Sequence, residues 1–240
     1  MAVLRGGTVI AEMKRRSPSG GALRTRLDCG HLARRYSSAG AAAISVLTDG
    51  PDFGGSLEDL AAARRATDRP LLRKDFIVDP IQVAEARVAG ADWVLLITAL
   101  LTGERLEGCL AAAARSGAQA IVEVHDEDEV ERAVGAGATC VGINNRDLRT
   151  LSTDIGTFAR LRPRVPSGLM CIAESGVRGP ADVRALISEG ADAVLVGELL
   201  MRAPDPAAAC AEIVVEARRA SDQHAERGFS EAGLAPEPGQ

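Results

Sequence analysis

The stretch Val9-Ile10-Ala11-Glu12-Met13-Lys14 begins as a buried strand should and then places a carboxylate and an ammonium inside it. Side chains of a strand alternate with a period of two, so Ile10, Glu12 and Lys14 share one face. Unpaired charges are costly to bury, so that face needs polar partners from elsewhere in the chain. A parallel barrel would supply them, because the C-terminal ends of its strands open into one mouth. Arg15-Arg16-Ser17-Pro18-Ser19-Gly20-Gly21 follows as a flexible loop placed to act as a lid.

Outward from this strand, Gly-Ala recurs at Gly40, Gly90, Gly117, Gly137 and Gly190. Each pair closes an amphipathic stretch and precedes a short apolar run, the pattern of helix, tight turn and strand. The apolar runs are Thr8–Lys14, Ala43–Thr48, Leu71–Phe76, Trp93–Ile97, Ala120–Val124, Cys140–Asn144, Met170–Glu174 and Ala193–Gly197. Helical patterns lie between them, for example Leu57–Arg65, Gln82–Ala89, Leu106–Arg115, Glu127–Val134, Ala181–Ser188 and Pro206–Arg219. Parallel strands need helical crossovers, so the expected fold is α/β: a single (β/α)8 TIM barrel with its site at the C-terminal strand ends. The alternative, an open doubly wound sheet, lacks the G-x-G-x-x-G that would support it after the first strand. The barrel is expected over residues 1–220. Residues 221–240 lack periodicity and are expected to form a disordered tail.

The composition fits one large domain of 240 residues, with 46% hydrophobic and 25% charged residues. Aromatics are only 2%, so the core is built from small and branched side chains. Net charge is −5 with both signs interspersed, and few aromatics are available for base stacking, which argues against nucleic-acid binding. The five cysteines form no C-x-x-C pair and the three histidines lack metal-type spacing, so no metal is expected. Reduced thiols, no signal peptide and no membrane-length apolar run suggest a cytoplasmic protein. The lack of an extended apolar surface stretch suggests a monomer.

With strands placed, polar residues recur at their ends. Lys74 is in phase with Leu72 and Phe76, Glu123 with Ile121, Asn144 with Gly142, and Glu174 with Ile172. Any one of these, or the Glu12–Lys14 pair, could be structural. Five strands repeating the arrangement point instead to a pocket with three carboxylates, two ammonium groups and an amide. Ser175-Gly176-Val177 and Val196-Gly197-Glu198 follow the seventh and eighth strands, where backbone N–H groups commonly cradle phosphate. Gly54-Gly55-Ser56 reads as an active-site loop ending in a helix N-cap, with Glu58 and Asp59 in the first turn.

Several motifs together resemble indole-3-glycerol phosphate synthase, a tryptophan-pathway family. They are Ile10–Ser19, Ile44–Thr48 with Phe53–Ser56, Leu72–Asp79, Val122–His125, Gly142–Leu148 and Ala173–Gly176. The resemblance runs in register from about Val9 to Pro206. It implies a cofactor-free carboxy-lyase acting on a phosphorylated small molecule, 1-(2-carboxyphenylamino)-1-deoxyribulose 5-phosphate. Ring closure, decarboxylation and dehydration give indole-3-glycerol phosphate. By motif, Lys74 is the implied general acid, Lys14 the holder of the substrate carboxylate, and Glu123 the dehydration base. Glu12 and Asn144 would position substrate and lysines, and Glu174 and Ser175 would complete the polar network. Phe53, Phe76 and Leu96 would wall the anthranilate ring. Ser17, Gly176, Gly197 and Glu198 would bind phosphate, and Arg146 joins the substrate-binding set. The family ordinarily carries a helical segment before the first strand, where this sequence has Met1–Thr8, so a less covered mouth is expected. Phosphoribosylanthranilate isomerase is a rival within the same fold, but it calls for a cysteine where this first strand has Glu12 and Lys14. A non-catalytic binding barrel is the rival from another class.

Overall fold

Strand and helix alternate around a full circle in the computed structural model, which describes residues 4–232. In chain order, β1 (Thr8–Met13) is followed by a short ribbon of β2 (Arg16–Ser17) and β3 (Gly21–Ala22), then α1 (Cys29–Ser38). Next come β4 (Ala43–Leu47), α2 (Leu57–Arg64), β5 (Leu71–Lys74), α3 (Pro80–Val88), β6 (Trp93–Ile97) and α4 (Glu104–Ser116). The circle continues through β7 (Gln119–Val124), α5 (Glu127–Gly135), β8 (Cys140–Asn144), α6 (Gly156–Leu161), β9 (Met170–Glu174) and α7 (Pro180–Ser188). It ends with β10 (Ala193–Val196), a short α8 (Glu198–Arg202) and α9 (Pro206–Ala232).

Strand β1 closes the barrel by pairing in parallel with β4 on one side and β10 on the other, so Ile10 lies beside both Ala43 and Leu195. The expected eight-stranded parallel barrel is therefore formed. Local chemistry sets the helix starts: Asp28, Ser56, Asp79 and Asp126 each accept a backbone N–H of the first turn from the N-cap position. Such a cap is worth about 1 kcal/mol. The glycines of the five Gly-Ala pairs all take left-handed φ values, from 71° at Gly117 to 102° at Gly90, which lets the chain leave each helix directly for the next strand.

The period of two divides the apolar residues into an inner and an outer core. Ile10, Leu72, Trp93, Ile121, Ile172 and Leu195 pack inside the barrel. Ala11, Val46, Val94, Val122, Ala173 and Val194 face the helices. Leu96 belongs to the outer set, which corrects its expected place on the substrate wall. Its neighbours Leu95 and Ile97 are the inward residues of β6, because they share the phase of Trp93. Arg73 also points outward. It is buried between β5 and α3, donating to Asp75 at 2.9 Å, Thr48 Oγ1 at 3.3 Å and the Gln82 carbonyl at 2.7 Å. That cation is structural, while Lys74 beside it faces the mouth.

The expected disordered tail is corrected as far as Ala232, because α9 runs on without a break from Pro206. The segment Ala220–Arg227 holds mostly helix-compatible residues, which explains the continuation without strong amphipathic periodicity. Residues 233–240, the rest of that expectation, lie outside the described residues. No helix of the described residues is long and apolar enough to cross a membrane.

Candidate active site

The C-terminal strand ends enclose a cavity of about 970 Å³, within the range that takes a small-molecule ligand. Glu12, Lys14, Lys74, Glu123, Asn144, Glu174 and Ser175 all line it. All but Ser175 lie near or just beyond the end of their strand in the inward phase; Ser175 follows Glu174 and turns into the cavity with a left-handed φ of 63°.

Two ion-pair clusters form its floor. Lys14 Nζ donates to Glu12 Oε1 at 2.6 Å, and the other Glu12 oxygen lies 3.5 Å from Ser45 Oγ on the neighbouring strand. Lys74 Nζ lies between two carboxylates, 3.1 Å from Glu123 Oε2 and 3.4 Å from Glu174 Oε2. Asn144 Nδ2 donates to Glu123 Oε1 at 3.0 Å, while its Oδ1 accepts from the Arg146 backbone N–H at 3.0 Å. Two glycines make room for these groups. A Cβ at Gly142 would lie 2.2 Å from Glu174 Oε1, and one at Gly197 would lie 2.3 Å from Glu12 Oε1. Any larger residue there would displace the carboxylates.

The crowding separates the titrations. Burial works against the charge on Lys74, but Glu123, Glu174 and Glu12 outweigh it and hold the ammonium above its ordinary value. Burial likewise pushes Glu123 up, yet Lys74, His125 and Asn144 prevail and hold it well below the usual carboxylate range. For Glu174 burial wins, helped by the negative charges of Glu123 and Glu12, and its carboxyl is pushed up to about 8. The two carboxyls are thus driven apart, Glu123 towards the ionised form and Glu174 towards the neutral one. Carboxyls driven apart in this way mark acid and base roles.

The upper wall combines apolar and polar residues. Phe53 and Phe76 line the cavity with ring centroids 6.2 Å apart, and Leu95, Ile97 and Leu195 line it where Leu96 does not. Ser17, Gly176, Gly197, Glu198 and Arg146 all line the cavity, and Arg146 lies 3.9 Å from Glu198. Ser175 and Gly176 both have left-handed φ, 63° and 88°. The non-glycine one is held by Asn145, which donates from Nδ2 to the Ser175 carbonyl at 3.1 Å. The lid stretch is an antiparallel ribbon rather than an irregular loop. Arg202 fastens it by donating to the Gly20 carbonyl at 2.9 Å and to Glu198 at 2.9 Å.

Several lining residues had no assigned role from the sequence: Leu95, Ile97, Leu195, Arg178 and Arg202. Strand phase alone identifies the first three. The two arginines lie on the short α8 and in the loop before α7, where the strand period of two does not apply. Among the described residues, no group of three or more His, Cys, Asp or Glu could hold a metal ion. All five cysteines are buried and unpaired.

Fold and site together define a (β/α)8-barrel protein with a buried lysine–carboxylate cluster at its mouth. Solved structures share the fold: thiamine phosphate pyrophosphorylase from Pyrococcus furiosus matches with a TM-score of 0.68 at 17% identity, covering 92% of this chain and 98% of that one. Orotidine 5'-phosphate decarboxylase from Pyrococcus horikoshii matches with a TM-score of 0.65 at 16% identity, covering 88% and 99%. The sequence comparisons are more specific. The indole-3-glycerol phosphate synthase family model matches residues 4–213. The indole-3-glycerol phosphate synthase of Parafrankia sp. is 56% identical over 216 residues, 89% of this chain and 81% of that protein. The Streptomyces coelicolor protein named indole-3-glycerol phosphate synthase 1 is 51% identical over 226 residues, 93% and 84% of the two chains. The chain belongs to the indole-3-glycerol phosphate synthase family.

Proposed function

We propose that the mouth of this barrel converts 1-(2-carboxyphenylamino)-1-deoxyribulose 5-phosphate to indole-3-glycerol phosphate, carbon dioxide and water, with Lys74 as general acid and Glu123 as general base. The observation that carries the assignment is Lys74 Nζ held between Glu123 and Glu174 in the same cavity as the Glu12–Lys14 pair.

Ring closure joins the ring carbon that bears the carboxylate to the ketone carbon. Lys74 gives its proton to the ketone oxygen, which becomes a hydroxyl. Lys14 neutralises the carboxylate while its bond to the ring breaks, the electrons return to the ring, and carbon dioxide leaves. In the dehydration, Lys14 protonates the hydroxyl and Glu123 removes a proton from the carbon between the former ketone carbon and nitrogen. Two protons have gone to the departing oxygen and one has returned to Glu123. The one taken from solvent matches the carboxylate that left as a neutral molecule.

The order of events follows from the charges. An ionised Glu123 beside an ammonium is a poor base. Once Lys74 has given up its proton, the cation at 3.1 Å is gone and Glu123 becomes more basic when the dehydration needs it. Phe53, Phe76 and Leu95 form the apolar wall for the aromatic ring. Ser17, Gly176, Gly197 and Glu198 receive the phosphate through backbone groups, with Arg146 alongside. The enzyme works as a cytoplasmic monomer in this reading.

Purified protein incubated with the substrate and EDTA, with no added cofactor, is expected to develop indole fluorescence. Saturable substrate binding without product would replace this function with a non-catalytic binding barrel.

A further inference from the structure

His125 lies just beyond β7, two residues after Glu123 and in the same phase, and the chemistry above does not use it. Its imidazole is wedged between two carboxylates. Nδ1 is 3.0 Å from Glu129 Oε2, and Nε2 is 3.3 Å from Glu123 Oε1. The same Glu129 oxygen also accepts the His125 backbone N–H at 2.8 Å, so one carboxylate fixes both the backbone and the ring. Glu129 is itself buried on the first turn of α5, where the Asp126 cap holds its backbone N–H at 2.8 Å and Arg132 lies 3.7 Å away. The Nε2 atom is buried and has no well-aligned hydrogen bond, so its contact with Glu123 is between charges set at an angle.

We infer that His125, clamped by Glu129, is a positioning residue for Glu123: it presents a second cation to the base, beside the Asn144 contact and away from Lys74. The inference rests on the reading of Glu123 as the dehydration base. Glu123 uses Oε2 for Lys74 and Oε1 for Asn144 and His125. When Lys74 becomes neutral during turnover, the His125 cation remains. It keeps the carboxylate ionised and oriented until the substrate proton arrives. The charged groups that face His125 are Glu123 from β7 and Glu129 from α5, with Arg132 behind Glu129 and Asp147 in the loop after β8. Burial opposes a charge on the ring, but the two carboxylates outweigh it and raise its pKa to about 10.

The test is the pH profile of turnover for His125→Gln and Glu129→Gln, with Glu123→Gln alongside. Removing a cation this close to a carboxylate should move the acidic limb of kcat upward by roughly one unit or more. The loss should be about tenfold at the acid end, shrink towards alkaline pH, and leave KM within about threefold. A uniform loss at every pH, or an unchanged profile while Glu123→Gln is inactive, would overturn the positioning role. Full activity in Glu123→Gln would instead overturn the base assignment beneath it. A measurement on the unaltered protein stands apart from variant folding. The chain has three histidines, so 15N-labelled imidazole signals can be followed one by one. One is expected to stay doubly protonated through pH 8. Titration of all three near the ordinary value of about 6.5 would contradict the inference.

Discussion

Replacing Lys74 by methionine keeps most of the side-chain volume and removes the ammonium that Glu123 and Glu174 share. The contact with the ionised Glu123, at 3.1 Å, amounts to about 5 kcal/mol of attraction at an effective dielectric of about 20. Desolvation cancels much of this, and truncating one member of a buried ion pair costs about 3–5 kcal/mol of stability. The variant can relieve the strain by taking up protons. Both carboxyls then have folded pKa values above the unfolded one, so the fold binds extra protons at mildly acidic pH. Their stability contribution is full below the unfolded value and is lost as pH rises through the raised one. Destabilisation relative to the unaltered protein should therefore grow by about 2–4 kcal/mol between pH 5 and pH 8. Urea unfolding followed by circular dichroism at the two pH values reads this directly. Turnover should fall by about 10²–10⁴ at both, while indole-3-glycerol phosphate still binds. Near-normal kcat would remove Lys74 from the acid role. A pH-independent loss of stability would refute the charge coupling.

Three further outcomes follow from the same geometry. Glu174, with its carboxyl pushed up to about 8, contributes stability that is full below about 4.5 and is lost as pH rises through 8. Glu174→Gln lacks that loss, so its melting temperature relative to the unaltered protein should rise by roughly 3–6 °C between pH 6 and pH 9. Leu95→Ala should raise KM several-fold, whereas Leu96→Ala should leave KM unchanged and cost about 2–5 kcal/mol in urea unfolding. Gly197→Ala would put a methyl group 2.3 Å from Glu12 Oε1 and 3.1 Å from Lys14 Nζ, so steady-state assays should show kcat/KM lower by about tenfold or more with the fold intact.

The barrel is legible in the sequence because its two signals are local. Gly-Ala pairs mark the helix ends, and polar residues that recur near the C-terminal ends of apolar runs mark the inward phase, with Arg73 of β5 the outward exception. Glu12, Lys74, Glu123, Asn144 and Glu174 follow from that phase alone. The same rule places Leu95 and Ile97 inward and Leu96 outward; reading Leu96 from the family resemblance passed over it. The stretch 222–226 is less legible, since a helical segment exposed to solvent needs no apolar stripe. Contacts made by side chains from distant segments are not legible at all. Arg202 reaching the Gly20 carbonyl depends on the packing of α8 beside the ribbon. His125 stands between these cases. Its phase with Glu123 and its four-residue spacing to Glu129 are visible in the sequence, but the closeness of both carboxylates is a property of the fold.

The division of labour between Lys74 and Glu123 is tested most directly by Glu123→Gln with two readouts, carbon dioxide release and indole fluorescence, from the same reaction. With the base removed and the acid in place, ring closure and decarboxylation should proceed. Carbon dioxide should then appear in a first turnover without a matching rise in indole. Equal release of both at the rate of the unaltered protein would contradict the assignment of Glu123 as the base.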